Sequence, residues 1–147
     1  GLPYTLNVSA NDGTWAEEND VKWGNNDRSY TSVRIGYAVG SSFNTGASSM
    51  TKSFTLPVDV NVNVKATGEA RGSKFISSIK TTASIAVSGS DIGSQTAGGK
   101  DTYKSFDWNV TKTMSASNAT IKCNNSNSTN EACMYLGSLF VGYANNK

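Results

Sequence analysis

The chain has 147 residues, enough for one compact domain that buries a single core without many covalent staples. Thirteen Lys and Arg against eleven Asp and Glu leave a net charge of +2 with no basic cluster, so nucleic acid is not an expected partner. There is no histidine, which removes the usual base of Ser and Cys nucleophiles and the commonest ligand of catalytic zinc.

In chain order, LPYTLNVSA reads as a first strand and SVRIGYAVG as a second, with Val33, Ile35, Tyr37 and Val39 on one side. Residues 53–70, SFTLPVDVNVNVKATGEA, alternate strictly. Phe54, Leu56, Val58, Val60, Val62, Val64 and Ala66 fall on one side; Thr55, Asp59, Asn61, Asn63 and Lys65 fall on the other. This predicts one long half-buried strand, with Pro57 marking an edge, a bulge or its first residues. Residues 74–88 repeat the pattern through Ile79, Thr81, Ala83, Ile85 and Val87, and GEARGS between the two supplies a turn, so a long hairpin is expected. GSDIGSQTAGGKD, residues 89–101, reads as a surface loop. TYKSFDWNVTK aligns Phe106, Trp108 and Val110 toward a core, NATIKC adds a short strand, and ACMYLGSLFVGYA is apolar on both faces, as a covered central strand would be.

Seven or eight strands separated by Gly, Ser, Asn and Asp clusters predict an all-β protein: a two-sheet antiparallel β-sandwich of jelly-roll type, filling residues 1–147 as a single domain. Cys123 and Cys133 bracket the polar segment NNSNSTNEA and are expected to close it as a disulfide at the base of a loop. Together with the low-charge composition, that pair points to a secreted or extracellular location. No run approaches the ~18 apolar residues of a membrane span, and GLPYTLNV has neither the charged nor the apolar part of a leader.

No nucleophile elbow, phosphate loop or dinucleotide fingerprint is present. A glycosidase needs only two carboxyl groups, for which Glu17, Glu18, Glu69 and Glu131 are the candidates, but paired acids on loops are far more often solvated charges, and no enzyme is expected. The stretch WAEENDVKWGNNDRSY, residues 15–30, carries more chemistry. A sugar offers apolar C–H faces rimmed by hydroxyls, so its site needs flat rings for stacking and planar amide, carboxylate or guanidinium groups for hydrogen bonds. Trp15, Trp23 and Tyr30 supply rings; Lys22, Asn25, Asn26, Asp27 and Arg28 supply polar partners. The other reading of these rings, as core anchors beside ordinary turns, stays open, and a sheet face bearing Tyr37, Arg34 or Lys65 is an alternative place for the site. Lys22 and Arg28 also suit an acidic or sulfated glycan. Asp12, Glu17, Glu18 and Asp20 offer hard oxygen ligands for a structural calcium, and no other cofactor is required.

With TWAEENDVKW and WGNNDRSY as a ring-and-amide platform and Ser/Thr/Asn-rich strands as framework, the chain resembles non-catalytic carbohydrate-binding modules and lectins of β-sandwich type. The resemblance implies a polysaccharide-binding domain of a larger secreted protein, holding it near its substrate. Residues 54–90 also resemble the alternating strands of aerolysin-like pore-forming toxins, and a secreted adhesin or fibre subunit assembling through an exposed strand edge is a third expectation.

Overall fold

The computed structural model describes residues 1–37 and 46–144. Its strands are β1 (Tyr4–Thr5), β2 (Trp15–Glu18), β3 (Val21–Asn25), β4 (Ser32–Gly36), β5 (Ser48–Ser53), β6 (Val60–Arg71), β7 (Thr81–Val87), β8 (Ser90–Ala97), β9 (Tyr103–Met114), β10 (Thr120–Asn125) and β11 (Cys133–Tyr143). They form two antiparallel sheets: a larger one in the order β3-β4-β11-β6-β9, with β1 also paired to β11, and a smaller one in the order β2-β5-β10-β7-β8. The fold is the expected all-β jelly-roll sandwich.

Period-two burial explains the layers. On β6, Val62, Val64, Ala66 and Ala70 are buried while Asn61, Lys65 and Thr67 face water; on β7, Thr81, Ala83, Ile85 and Val87 face inward. Val33 and Ile35 of β4, Met50 of β5, Ile121 of β10 and Met134, Leu136, Leu139 and Val141 of β11 complete the core between the sheets. Trp108 packs against that core, its indole stacked 4.1 Å from the Phe106 ring. β11 is a central strand, flanked by β4 and β6, as its two apolar faces predicted.

Several expectations are corrected. The alternation over 53–70 belongs to two strands: β5 ends at Ser53 in the smaller sheet and β6 starts at Val60 in the larger one, with Pro57 in the turn where the chain changes layer. The long hairpin does not form, because β6 pairs with β9 and β11 whereas β7 pairs with β8 and β10, and residues 72–80 cross between sheets. Most of the supposed loop at 89–101 is β8, an edge strand that buries only Ile92 and Ala97 and so carries a faint periodic signal. Val39 of the second predicted strand lies outside the described residues.

The disulfide is also absent. Cys123 and Cys133 are both free and fully buried. Cys123 sits on β10 between Met50 and Ile85, inside the core, while Cys133 opens β11 in the opposite sheet opposite Arg71. The polar segment between them is held instead by hydrogen bonds: Asn125 donates to the Asn127 carbonyl at 2.9 Å, and the Thr129 N–H donates to Asn127 Oδ1 at 2.9 Å.

Candidate functional site

On the larger sheet the outward phase of β6 carries Lys65, Thr67, Glu69 and Arg71. Their partners are Phe140, Ser138, Tyr135 and Cys133 on β11, and Asn109, Asp107, Ser105 and Tyr103 on β9. Arg34 of β4 stands opposite Tyr135 in the same phase. Strand register alone therefore gathers arginine, tyrosine and carboxylate side chains on one outer face.

The segment between β3 and β4 folds back over that face. Arg28 donates from Nε and Nη2 to the two oxygens of Glu69, at 2.8 and 3.1 Å, and the Tyr30 hydroxyl donates to Glu69 Oε1 as well. The Tyr30 ring lies against Gly137, where an added Cβ would sit 3.2 Å from it. The Arg28 guanidinium carbon is 3.9 Å from the Tyr103 ring centroid, and Tyr103 stacks on Tyr135 at 6.5 Å. Arg34 repeats the pattern, 3.9 Å over Tyr37 with Asp27 at 3.4 Å. Arg71 does so a third time: it donates to Asp101 at 2.8 and 3.0 Å beneath Tyr103, at 5.4 Å. Each guanidinium has a carboxylate on its edge and a phenol ring on its face.

Burial pushes the Glu69 carboxyl up, but the hydrogen bonds from Arg28 and Tyr30 and the guanidinium charge outweigh it, leaving its pKa below the ordinary 4.5. Burial first, and then the bond to Glu69, raise the Tyr30 hydroxyl, which stays a neutral donor. An ionised Glu69 held by Arg28 is the opposite of the proton-bearing carboxyl that a glycosidase acid requires.

Beside this clamp a cleft of about 700 Å³ opens on the sheet. Arg28, Tyr30, Thr67, Glu69, Ser105 and Asp107 line it, together with Gly68 and Gly137. The lining offers hydroxyl donors, carboxylate acceptors and a ring edge, the inventory that reads a polyol.

The structure sorts the residues predicted from sequence. Arg28 and Tyr30 form the clamp on Glu69, Asp27 accepts from Arg34 at 3.4 Å, and Lys22 is exposed on β3 opposite Arg34. Asn26 is exposed and accepts from the Thr31 hydroxyl at 3.1 Å. Trp15 is core, 5% exposed, its indole N–H donating to the Tyr4 hydroxyl at 2.8 Å; Asn25 is 1% exposed and caps the turn by accepting from the Asp27 N–H. Both side chains are buried and engaged within the protein. Trp23 is half-buried, packed on the core, and its N–H crosses to Glu17 of the other sheet at 3.0 Å. Asp12 accepts from Thr14, Glu17 from Asn11 and Trp23, and Glu18 from Ser49, while Asp20 has its pKa raised by burial. Among the described residues no group of three or more Cys, Asp or Glu side chains gathers to hold a metal ion.

The sequence offers Glu69 only as a catalytic candidate and carries no signal that marks Tyr103, Tyr135, Arg71 or Asp107. The parity of Glu69 with Arg71, and of Tyr103 with Asp107, placed each pair on one face, but strand order alone decides that those faces coincide.

Sheet order and core together define a β-sandwich of the kind found in carbohydrate-binding modules and adhesin domains. The chain is similar in fold to the K1 cleaved adhesin domain of Lys-gingipain from Porphyromonas gingivalis W83, with a TM-score of 0.62 at 10% identity over 99% of this chain and 100% of that one. It is likewise similar to a xylan-binding domain of carbohydrate-binding module family 22, with a TM-score of 0.57 at 12% identity over 96% of this chain and 94% of that one. No protein-family model and no curated protein matches the sequence.

Proposed function

We propose that this chain is a non-catalytic glycan-binding module, secreted as part of a larger protein, that holds a polysaccharide in the cleft between Tyr30 and Asp107. The observation that carries the reading is the clamp itself: Arg28, Tyr30 and Glu69 are locked together at the margin of an open cleft of about 700 Å³ lined by hydroxyl and carboxylate groups. Locked groups lose little conformational entropy when a ligand arrives. The two domains similar in fold, a xylan-binding domain and an adhesin domain, agree with a binding task.

The ligand we propose is a neutral glycan. A sulfated or acidic sugar would have to compete with Glu69, Asp27 and Asp101 for guanidinium edges those carboxylates already occupy. The alternating segments that resemble those of pore-forming toxins lie in different sheets, β6 in the larger and β7 in the smaller. No helix is long and apolar enough to cross a membrane among the described residues, which says nothing about strands.

Affinity electrophoresis in gels containing xylan, mannan, mixed-linkage β-glucan or heparin tests this directly. Retardation by a neutral polymer, lost in Glu69→Ala, is the expected result; failure of all four to retard the wild-type protein refutes the reading.

A further inference from the structure

The outer face of the smaller sheet lies on the far side of the sandwich from the Tyr30–Glu69 cleft. On β10 the inward side chains are Ile121 and Cys123, so Thr120, Lys122 and Asn124 point away from the core. Register sets Lys122 between Thr51 of β5 and Ala86 of β7, and sets Ala86 in turn beside Asp91 of β8. Asp91 reaches that row through a bulge: pairing shifts between Ile85 and Ala86, so β8 carries one extra residue, Ile92, which is buried while Asp91 is exposed. Short side chains on β7 between longer ones on both neighbours leave a cleft of about 540 Å³, lined by Lys122, Asn124, Ser84, Ala86, Asp91 and Asn118 among others. Ser84 and Ala86 are half-buried; Lys122, Asp91 and Asn118 are exposed.

Lys122 and Asp91 stand two strand spacings apart, about 10 Å between their backbones. Among the described residues neither the ammonium nor the carboxylate has a hydrogen-bond or ion-pair partner, unlike the arginines of the other face, each matched by a carboxylate. Asn118 takes the Thr120 hydroxyl on Oδ1 at 3.1 Å, which leaves its amide nitrogen to donate outward. Opposite charges held apart across a methyl group and a hydroxyl fit a ligand with one negative group and several hydroxyls. We propose that this cleft is a second saccharide site and that its ligand is a uronate polymer. The sugar carboxylate meets the Lys122 ammonium, ring hydroxyls donate to Asp91 and accept from Asn118, and a C–H face lies over Ala86. No aromatic ring lines the cleft, so charge-assisted hydrogen bonds carry the binding. A densely sulfated chain fits less well, because Asp91 faces it with one lysine to offset the repulsion. The site is independent of the first cleft, whose guanidinium groups are already occupied.

Affinity electrophoresis in gels containing polygalacturonate or alginate, run beside the methyl ester of polygalacturonate, tests the proposal. At least one uronate polymer should retard the wild-type protein, the uncharged ester should not, and retardation should weaken as salt rises from ~0.01 to ~0.5 M. Lys122→Gln and Asp91→Asn remove exposed, unpartnered charges and leave the fold intact. Each is expected to weaken affinity for the uronate polymer about two- to fivefold, the range of an exposed charge pair. Ala86→Gln changes no charge but fills the space between Lys122 and Asp91, and should weaken binding to a similar degree. Attraction of the polymer to loose positive charge alone would leave Ala86→Gln at wild-type strength and weaken Lys104→Gln, an exposed lysine on the larger sheet, as much as Lys122→Gln. Wild-type retardation of either Lys122→Gln or Ala86→Gln overturns the proposal, as does failure of both uronate polymers to retard the wild-type protein. Retardation by neutral polymers is read separately and bears only on the first cleft.

Discussion

Glu69 is the residue on which the candidate site turns. It takes three hydrogen bonds, two from Arg28 and one from Tyr30, with its side chain only 13% exposed. Replacing it with Gln keeps the shape and removes the charge, which should lower stability in urea by about 1–3 kcal/mol and weaken glycan retention together. The pH dependence follows from the direction of its shift. Because folding depresses this carboxyl, its contribution is full above the ordinary value of 4.5 and is lost as the pH falls through the lower folded value. Urea midpoints should therefore fall below pH 4.5 in the wild type, and Glu69→Gln should lose the part of that slope Glu69 supplies. The cysteines make a second prediction at this scale. Burial pushes the Cys133 thiol up to about 12 and Cys123 further in the same direction, so neither is a thiolate at neutral pH. A thiol reagent should find no reactive group in the folded protein and two after denaturation; fewer than two would restore the disulfide.

At the scale of elements, the informative contacts tie one sheet to the other. Gly93 on the edge strand β8 faces Trp108 on β9, and a Cβ there would lie 2.6 Å from the indole, inside contact distance. Gly93→Ala should therefore push the two edge strands apart and cost about 1–3 kcal/mol by thermal unfolding. That contact also settles Trp108, expected from its alternation to be core, as a ring held between the layers. Trp23 and Glu17 join the opposite edge, β3 to β2, by a single bond at 3.0 Å. Trp23→Phe keeps most of the packing and loses that bond, so the expected cost is about 1 kcal/mol with no change in glycan binding. A large loss of glycan binding in this variant would move the site from the sheet face to the sandwich edge.

Across the whole molecule, charge is compensated locally: three guanidinium groups on one face each meet a carboxylate within 3.4 Å, and the chain carries a net charge of only +2. Retention by a neutral polysaccharide should change little as salt rises from ~0.01 to ~1 M, where a contact between free charges would be screened away. Several features needed only local information. Of the alternation read over Phe54–Ala66, the part from Val62 to Ala66 has the buried side expected, as do Thr81–Val87 and Phe106–Val110, because one face of a strand must leave water whatever its partners are. The absence of histidine and of any basic cluster likewise narrowed the chemistry at once. Partners were beyond local reach. Alternation states that a strand has a wet side and a dry side, but not which strand lies beside it, so β6 and β7 read as a hairpin while belonging to different sheets. Cys123 and Cys133, ten positions apart, ended on opposite layers for the same reason. Tyr30, Glu69, Tyr103 and Tyr135 come from four distant segments, and only the order β4-β11-β6-β9 brings them to one surface. The sequence by itself determined the sandwich and its dry faces; the tertiary structure decided which wet face became a site, because a binding surface is made by strand neighbours and a sequence records only chain neighbours.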